Sequence, residues 1–199
     1  MEAIIEGLTD AQIESVTHVG GPLLVLAGPG SGKTTVVTKR IANLVASGVP
    51  PWNILALTFT NKAAAEMRER VFALIDPNTH GINGLTVSTF HSFCARTLRI
   101  WGDRIIGTRS FTIYDTADQR SAVKTAIRTC DLNESNWKPA SVLSVISGAK
   151  NQLLDAESFA ANATDFHSKT IAQIYRAYEK ELRSNDADDF DDLLLCVAT

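Results

Sequence analysis

The sequence predicts an α/β fold with a parallel sheet, and three observations carry this prediction. Short apolar runs alternate with helical patterns up to Phe90. A glycine-rich loop lies between the first apolar run and the helix that follows it. After Phe90 the pattern is almost entirely helical. Strands separated by single helices imply β-α-β units, so we expect parallel strands in the first half and a mostly helical subdomain in the second.

The elements of the first half follow from hydrophobic spacing. Apolar residues at three- and four-residue spacing predict helices, and short uninterrupted apolar runs predict buried strands. In chain order, the predicted elements are a helix over Thr9–Val16, a buried strand over Leu23–Leu26, a helix over Thr34–Ala46, a strand over Ile54–Leu57, a helix ended by Asp76-Pro77-Asn78, and a strand over Leu85–Ser88. Ligands of such folds bind beyond the carboxyl ends of the strands, where the glycine loop, Thr58–Asn61 and Ser88–Ser92 lie.

The second half contains helical faces and one strand-like segment. Val123, Ala126 and Ile127 mark the apolar face of one helix, and Ile171 to Leu182 contains that of another. Only Phe111–Tyr114 has the character of a short strand.

Composition and charge limit the function classes. The chain has 199 residues, a net charge of −3 and 45% hydrophobic residues, as is typical of a globular protein. Cys94, Cys130 and Cys196 are too widely spaced to predict a zinc site or a disulfide framework, so we expect a cytoplasmic location. No apolar run approaches the roughly 20 residues that span a bilayer, and no membrane partner is expected. The net charge argues against nucleic-acid binding, although Thr58–Arg109 carries a local excess of basic residues.

The glycine loop has the composition of a phosphate-binding loop. It consists of Ala27, Gly28, Pro29, Gly30, Ser31, Gly32, Lys33 and Thr34. Glycines let successive backbone N–H groups turn toward one anion, and the following helix adds its positive dipole end. Lys33 can reach the β- and γ-phosphates, and the Thr34 hydroxyl can hold Mg²⁺. The alternative is an ordinary glycine turn before a helix, and Gly-Lys-Thr in this context strongly favours the phosphate-binding loop over it.

Four segments together resemble the superfamily 1 DNA helicases of the UvrD/Rep type. Leu8–Gln12 is similar to their adenine-reading motif, and Ala27–Thr34 to their phosphate loop, including the alanine. Thr58–Ala64 and Thr89–Ser92 resemble two motifs that contact single-stranded DNA. Two later segments, Phe111–Asp115 and Asp189–Leu194, also match, and all of them occur in the family's order.

The resemblance implies an incomplete RecA-like P-loop NTPase sheet with a mostly helical inserted subdomain. It divides the chain into a core over residues 1–89, an insertion over 90–185 and a return to the core over 186–199. It also implies the N-terminal ATP-binding portion of an ATP-dependent helicase that translocates on single-stranded DNA and unwinds duplex. The implied cofactors are ATP and Mg²⁺. The implied partners are single strands, single/double-strand junctions and a C-terminal motor domain of the same protein.

The resemblance assigns two sets of site residues. The nucleotide set is Gln12, Ala27, Gly28, Pro29, Gly30, Ser31, Gly32, Lys33, Thr34 and Thr35, with Lys33 and Thr34 catalytic and Thr34 on Mg²⁺. The DNA set is Phe59, Thr60, Asn61, Lys62, Thr89, Phe90, His91 and Ser92.

Simpler roles remain open for several of these residues. Composition favours a core position for Phe59 and Phe90. The resemblance favours a DNA contact for both, and it does so more strongly for Phe59 than for Phe90. Gln12 is also placed to complete a capping box with Thr9. Asp191 and Asp192 could form a metal pair, but solvated acids in the first turn of a helix are the favoured interpretation.

Two departures from the family pattern affect the expected activity. Thr35 stands where the family often has an arginine against adenine, so adenine binding is expected to be weaker. No strand ends in the Asp-Glu pair that holds Mg²⁺ and positions the attacking water. We therefore expect the N-terminal piece of a longer protein, without ATP turnover by itself. A helicase–nuclease relative, an unrelated phosphate-loop kinase and a binding module without turnover are the alternatives.

Overall fold

A computed structural model describes residues 2–75 and 83–199. The helix end predicted at Asp76-Pro77-Asn78 lies outside these ranges. The chain divides into two compact units, Met1–Phe90 and His91–Thr199. Within the described ranges, no helix combines the length and the apolar character needed to cross a bilayer.

The first unit contains a parallel pair of strands and the helices that pack with them. Its elements are α1 (Glu2–Ile5), α2 (Asp10–Thr17), α3 (Lys33–Ala46), a 3₁₀ turn over Pro51–Asn53, β1 (Leu55–Thr58), α4 (Asn61–Leu74) and β2 (Thr86–Thr89). β1 and β2 run parallel, with Leu55 opposite Thr86 and Thr58 opposite Thr89. The α/β prediction is therefore confirmed for this pair, with each strand one residue later than expected.

The predicted buried strand at Leu23–Leu26 is wrong. The segment has no regular secondary structure, and Leu24 and Leu26 are 81% and 86% exposed. An apolar run becomes a buried strand only when neighbouring strands pair with it and cover it. In the part of the chain that the structure describes, β1 and β2 pair only with each other, so this segment has no sheet neighbour.

Side chains of α3 bind the carbonyl groups at the ends of the two preceding helices. Lys39 Nζ donates to the Glu6 carbonyl at 2.7 Å, beyond the end of α1. Arg40 Nη1 donates to the carbonyls of Ser15 and His18 at 2.9 and 3.0 Å, at the end of α2. Because the last carbonyls of a helix have no partner within it, these bonds fix α1 and α2 against α3. A core that includes Val16, Ile41, Val71 and Val87 fills the space between the elements.

The second unit is mostly helical, as predicted. It contains α5 (Phe90–Ile105, whose first residue belongs to the first unit), β3 (Thr112–Tyr114), α6 (Thr116–Thr129), α7 (Pro139–Lys150), α8 (Ala156–Asn162), α9 (Phe166–Ser184), β4 (Ala187–Asp189) and α10 (Phe190–Ala198). The strand predicted at Phe111–Tyr114 is confirmed as β3 and pairs in parallel with β4. The sequence prediction missed β4 because its Ala-Asp-Asp sequence has no strand propensity.

A buried ionic cluster joins α7, α9 and the start of α10. Lys150, the last residue of α7, is buried, and its Nζ lies 2.6 Å from Asp192 Oδ1 and 2.9 Å from Asp189 Oδ2. Glu179 Oε1 is also 2.9 Å from this nitrogen, and the Tyr178 hydroxyl donates to Asp189 Oδ2 at 2.8 Å. Burial by itself lowers a lysine pKa, but the charges of Asp192, Asp189 and Glu179 raise the pKa of Lys150 well above its usual value.

The prediction of solvated acids at Asp191 and Asp192 is wrong for Asp192. This carboxylate is buried, and besides Lys150 it accepts the Asp189 backbone N–H at 3.1 Å. Asp189 in turn accepts the Asp192 backbone N–H at 2.8 Å, which completes a reciprocal cap of α10. Asp192 can be buried because the ammonium group of Lys150, 42 residues away in the chain, compensates its charge.

We predict that Lys150→Ala strongly destabilises the second unit. Removing the ammonium leaves buried carboxylates without a counter-charge, which typically costs about 3–5 kcal/mol. Trp137 packs against the core of this unit, so urea unfolding followed by its fluorescence, in a Trp52→Phe, Trp101→Phe background, reports on this unit. Lys169→Ala, at an exposed lysine of α9, is the control and should change the unfolding free energy by less than about 0.5 kcal/mol. Equal unfolding curves for the two variants would exclude a stabilising role for the cluster.

Candidate functional site

The glycine loop has the backbone conformation that its sequence predicts. Gly30 and Gly32 have φ angles of +74° and +78°, in the left-handed region that favours glycine. Gly32 is the N-cap residue of α3, and its carbonyl accepts the Val36 N–H at 2.9 Å. A Cβ atom added at Gly28 or Gly30 would meet no heavy atom within 4 Å, so the loop is open on that side.

Lys33 closes the loop by donating hydrogen bonds to the carbonyl groups of two other loop residues. The Lys33 Nζ donates to the carbonyls of Gly28 and Ala27 at 2.7 and 3.1 Å. The Ser31 hydroxyl also donates to the Gly28 carbonyl, at 2.7 Å. Lys33 and Thr34 are exposed at the first turn of α3. An anion that enters the loop therefore meets an ammonium group whose present partners are exposed carbonyls, which the anion can replace.

Gln12 contacts the loop from α2. Its Oε1 accepts the Thr9 backbone N–H at 3.0 Å, and its Nε2 donates to the Ser31 carbonyl at 3.0 Å. The predicted capping role of Gln12 is therefore confirmed, and the same amide also binds the loop. Thr35, the other residue expected near adenine, is half-buried in the first turns of α3.

The strand register brings Phe59 and Phe90 together. Thr58 and Thr89 are opposite each other at the ends of β1 and β2, and the two phenylalanines directly follow them. Their ring centroids are 5.7 Å apart at an interplanar angle of 38°. Phe59 is 90% exposed and Phe90 is 40% exposed, so a core position is excluded for Phe59. The pair offers an apolar ring surface to solvent at the carboxyl end of the strands.

The polar residues next to Phe59 begin α4. The Thr60 hydroxyl accepts the Ala63 backbone N–H at 3.1 Å and so caps this helix. Asn61 and Lys62 are exposed in its first turn. A helix N-terminus with an exposed lysine and amide is suited to bind a phosphate group.

The residues of the second predicted DNA motif lie in different environments. Thr89 is buried at the end of β2, whereas His91 and Ser92 are exposed in the first turn of α5. In the second unit, the His91 ring packs edge-on against Phe190, with the ring centroids 5.8 Å apart. The sequence prediction did not include Phe190 among the contact residues, although it lies in the Asp189–Leu194 segment that resembles the family.

Among the described residues, carboxylates do not supply a metal site. Within residues 2–75 and 83–199, no three His, Cys, Asp or Glu side chains converge as a metal centre would require. Thr34, the one residue predicted for Mg²⁺, is exposed at the end of the loop, and its hydroxyl is an oxygen ligand of the kind that this ion prefers.

The chain is similar to a known protein family and to several curated proteins. The profile of the family described as UvrD/REP helicase N-terminal domain matches residues 8–199. ATP-dependent DNA helicase PcrA of Bacillus subtilis is 46% identical over 193 residues, which cover 96% of this chain and 26% of the relative. The PcrA proteins of Leuconostoc citreum and Staphylococcus aureus are each 43% identical over 196 residues, with 98% of this chain and 26% of the relative covered. The chain thus spans about a quarter of the length of these curated relatives. Because the profile match covers almost the whole chain, the chain belongs to the UvrD/REP helicase N-terminal domain family.

Proposed function

We propose that this chain binds ATP with Mg²⁺ and single-stranded DNA, as the N-terminal ATP-binding portion of an ATP-dependent DNA helicase. The observation that carries the proposal is the loop conformation: Gly30 and Gly32 are left-handed, and the loop ends at the N-cap of α3 with Lys33 next to it. Such a loop presents backbone N–H groups and a helix dipole to an anion.

In the proposed nucleotide site, each residue has a separate task. The backbone N–H groups from Gly28 to Thr34 bind phosphate oxygens, and Lys33 exchanges the Gly28 carbonyl for the β- and γ-phosphates. The Thr34 hydroxyl is the group that would hold Mg²⁺, and the bound ion would neutralise the charge of the phosphates. Gln12 and Thr35 are the two residues that the resemblance assigns to the base. Thr35 lacks the positive planar group that an arginine would place against adenine, so the affinity for the base is expected to be modest.

The proposed DNA site combines stacking with phosphate contacts. Phe59 and Phe90 stack on bases, which needs no sequence recognition because every base has an apolar face. Lys62 neutralises a phosphate, and Thr60, Asn61, Thr89, His91 and Ser92 supply polar contacts to phosphate or sugar. The supporting observation is the exposure of the Phe59 ring beside Phe90 and the N-terminus of α4.

The remaining parts of the proposal concern the longer protein to which the relatives point. We assign translocation on single strands, unwinding at single/double-strand junctions and ATP turnover to a protein with a second motor domain, working in the cytoplasm. The sheet of the first unit is then the beginning of a RecA-like P-loop core, residues 90–185 are an insertion into it, and residues 186–199 return to it. The 199 residues contain no adjacent Asp-Glu pair, so the proposal for the chain itself is limited to binding.

We predict that the chain binds Mg-ATP and that Lys33→Ala weakens this binding about 10- to 100-fold. A hydrogen bond from an ammonium to a charged phosphate is worth about 1.5–3 kcal/mol. Isothermal titration calorimetry with Mg-ATP measures the change. Arg70→Gln removes one positive charge from the exposed face of α4 and is the control for net charge. Equal affinities for the unaltered chain and Lys33→Ala would contradict the phosphate-loop assignment.

We predict that Phe59→Ala weakens single-stranded DNA binding by about 1–3 kcal/mol without changing its salt dependence, because a stacking contact releases no counterions. Lys62→Ala should cause a smaller loss and reduce the slope of log affinity against log salt by about 0.7, the value for one phosphate on a single strand. Titration of a labelled oligonucleotide at several salt concentrations separates the two effects. Phe72→Ala, at a partly exposed phenylalanine of α4, is the aromatic control. An unchanged affinity of Phe59→Ala would exclude the stacking role.

A further inference from the structure

We infer that Gln12 is a positioning residue for the phosphate loop: it holds the Ser31–Gly32 peptide in the orientation that binds phosphate, whether or not the ligand carries a base. This inference rests on the proposed nucleotide site and adds to it, because a base-reading residue would act only on ligands that contain adenine.

The hydrogen bonds of Gln12 determine which way its amide faces. Its oxygen can only accept and its nitrogen can only donate. The Oε1 accepts the Thr9 N–H and the Nε2 donates to the Ser31 carbonyl, each at 3.0 Å. A rotated amide would bring its nitrogen to the Thr9 N–H and its oxygen to the Ser31 carbonyl, and both contacts would be repulsive. The bond to the Thr9 N–H, which caps α2, therefore fixes the orientation in which the Gln12 Nε2 binds the loop.

The Ser31 carbonyl is the point at which the loop orientation is set. In a planar trans peptide, the carbonyl and the N–H of the next residue point in opposite directions. When Gln12 holds the Ser31 carbonyl, the Gly32 N–H must point away from Gln12. Ser31 lies between two left-handed glycines, which permit rotation of this peptide at little steric cost. Without a partner for the carbonyl, rotation would turn an oxygen, instead of an N–H, toward the phosphate.

The close approach of α2 to the loop supports this role. A Cβ atom at Gly32 would lie 3.0 Å from Gln12 Nε2, so glycine at this position leaves just enough room for the contact. Gly32 is also the N-cap residue of α3. A single amide therefore connects the start of α2 with the start of α3 at the loop.

The test uses inorganic pyrophosphate with Mg²⁺, a ligand without a base, in calorimetry on the 199-residue chain, beside Mg-ATP. Gln12→Glu keeps an oxygen for the Thr9 N–H and replaces the Nε2 donor with a second oxygen that faces the Ser31 carbonyl. We expect the pyrophosphate affinity to fall about tenfold, which corresponds to one lost hydrogen bond of about 1.4 kcal/mol. The thermal melting temperature should fall by no more than about 5 °C, because the cap of α2 is kept and only the one hydrogen bond is lost.

The control for the added negative charge is Ala11→Glu, at an exposed position next to Gln12. We expect this variant to bind pyrophosphate within about twofold of the unaltered chain, as is usual for an exposed charge that is screened by salt. Equal losses in Gln12→Glu and Ala11→Glu would overturn the inference in favour of simple charge repulsion. A loss of affinity for Mg-ATP with an unchanged pyrophosphate affinity would also overturn it, because Gln12 would then act on the base only. Failure of the unaltered chain to bind either ligand would instead reject the proposed nucleotide site, and the inference with it.

Discussion

The backbone groups at helix ends have no partners within their own helices, and this constraint determines where many polar side chains of the two units lie. In the first unit, Lys39 and Arg40 of α3 donate hydrogen bonds to carbonyls at the ends of α1 and α2. In the second unit, Asp189 and Asp192 cap α10 and bind Lys150 at the end of α7 at the same time. Each unit thus uses helix termini as the points where its elements are joined.

The same constraint explains why the candidate site is at helix N-termini. The first turns of α3 and α4 contain N–H groups without helical partners, and the loop residues and Thr60 lie next to them. Thr60 already caps α4, whereas the N-cap residue of α3 is a glycine that has no side chain to do so. No N-cap side chain therefore competes with an external anion for the donors of α3, whereas Thr60 occupies one donor of α4.

A structural feature could be predicted from the sequence when the residues that determine it lie close together in the chain. The parallel strand pair, the cap at Thr9 and the left-handed glycines were predictable, since spacing and local chemistry fix them. The exposure of Leu23–Leu26 was not predictable, because burial of an apolar run needs neighbouring strands that the run itself does not specify. The burial of Asp192 was missed for a similar reason: its partner, Lys150, is 42 residues away in the chain. For Gln12, the pattern predicted the bond to Thr9 but gave no signal for the second bond to Ser31.

The exposed apolar segment at Leu23–Leu26 has a consequence for the behaviour of the polypeptide in solution. No charged side chain lies between His18 and Lys33, so electrostatic repulsion does not keep two copies of this segment apart. None of the described strands pairs with its backbone, which is therefore open to a further strand, as unprotected strand edges are. Pro22 lacks an N–H and limits such a ladder on one side.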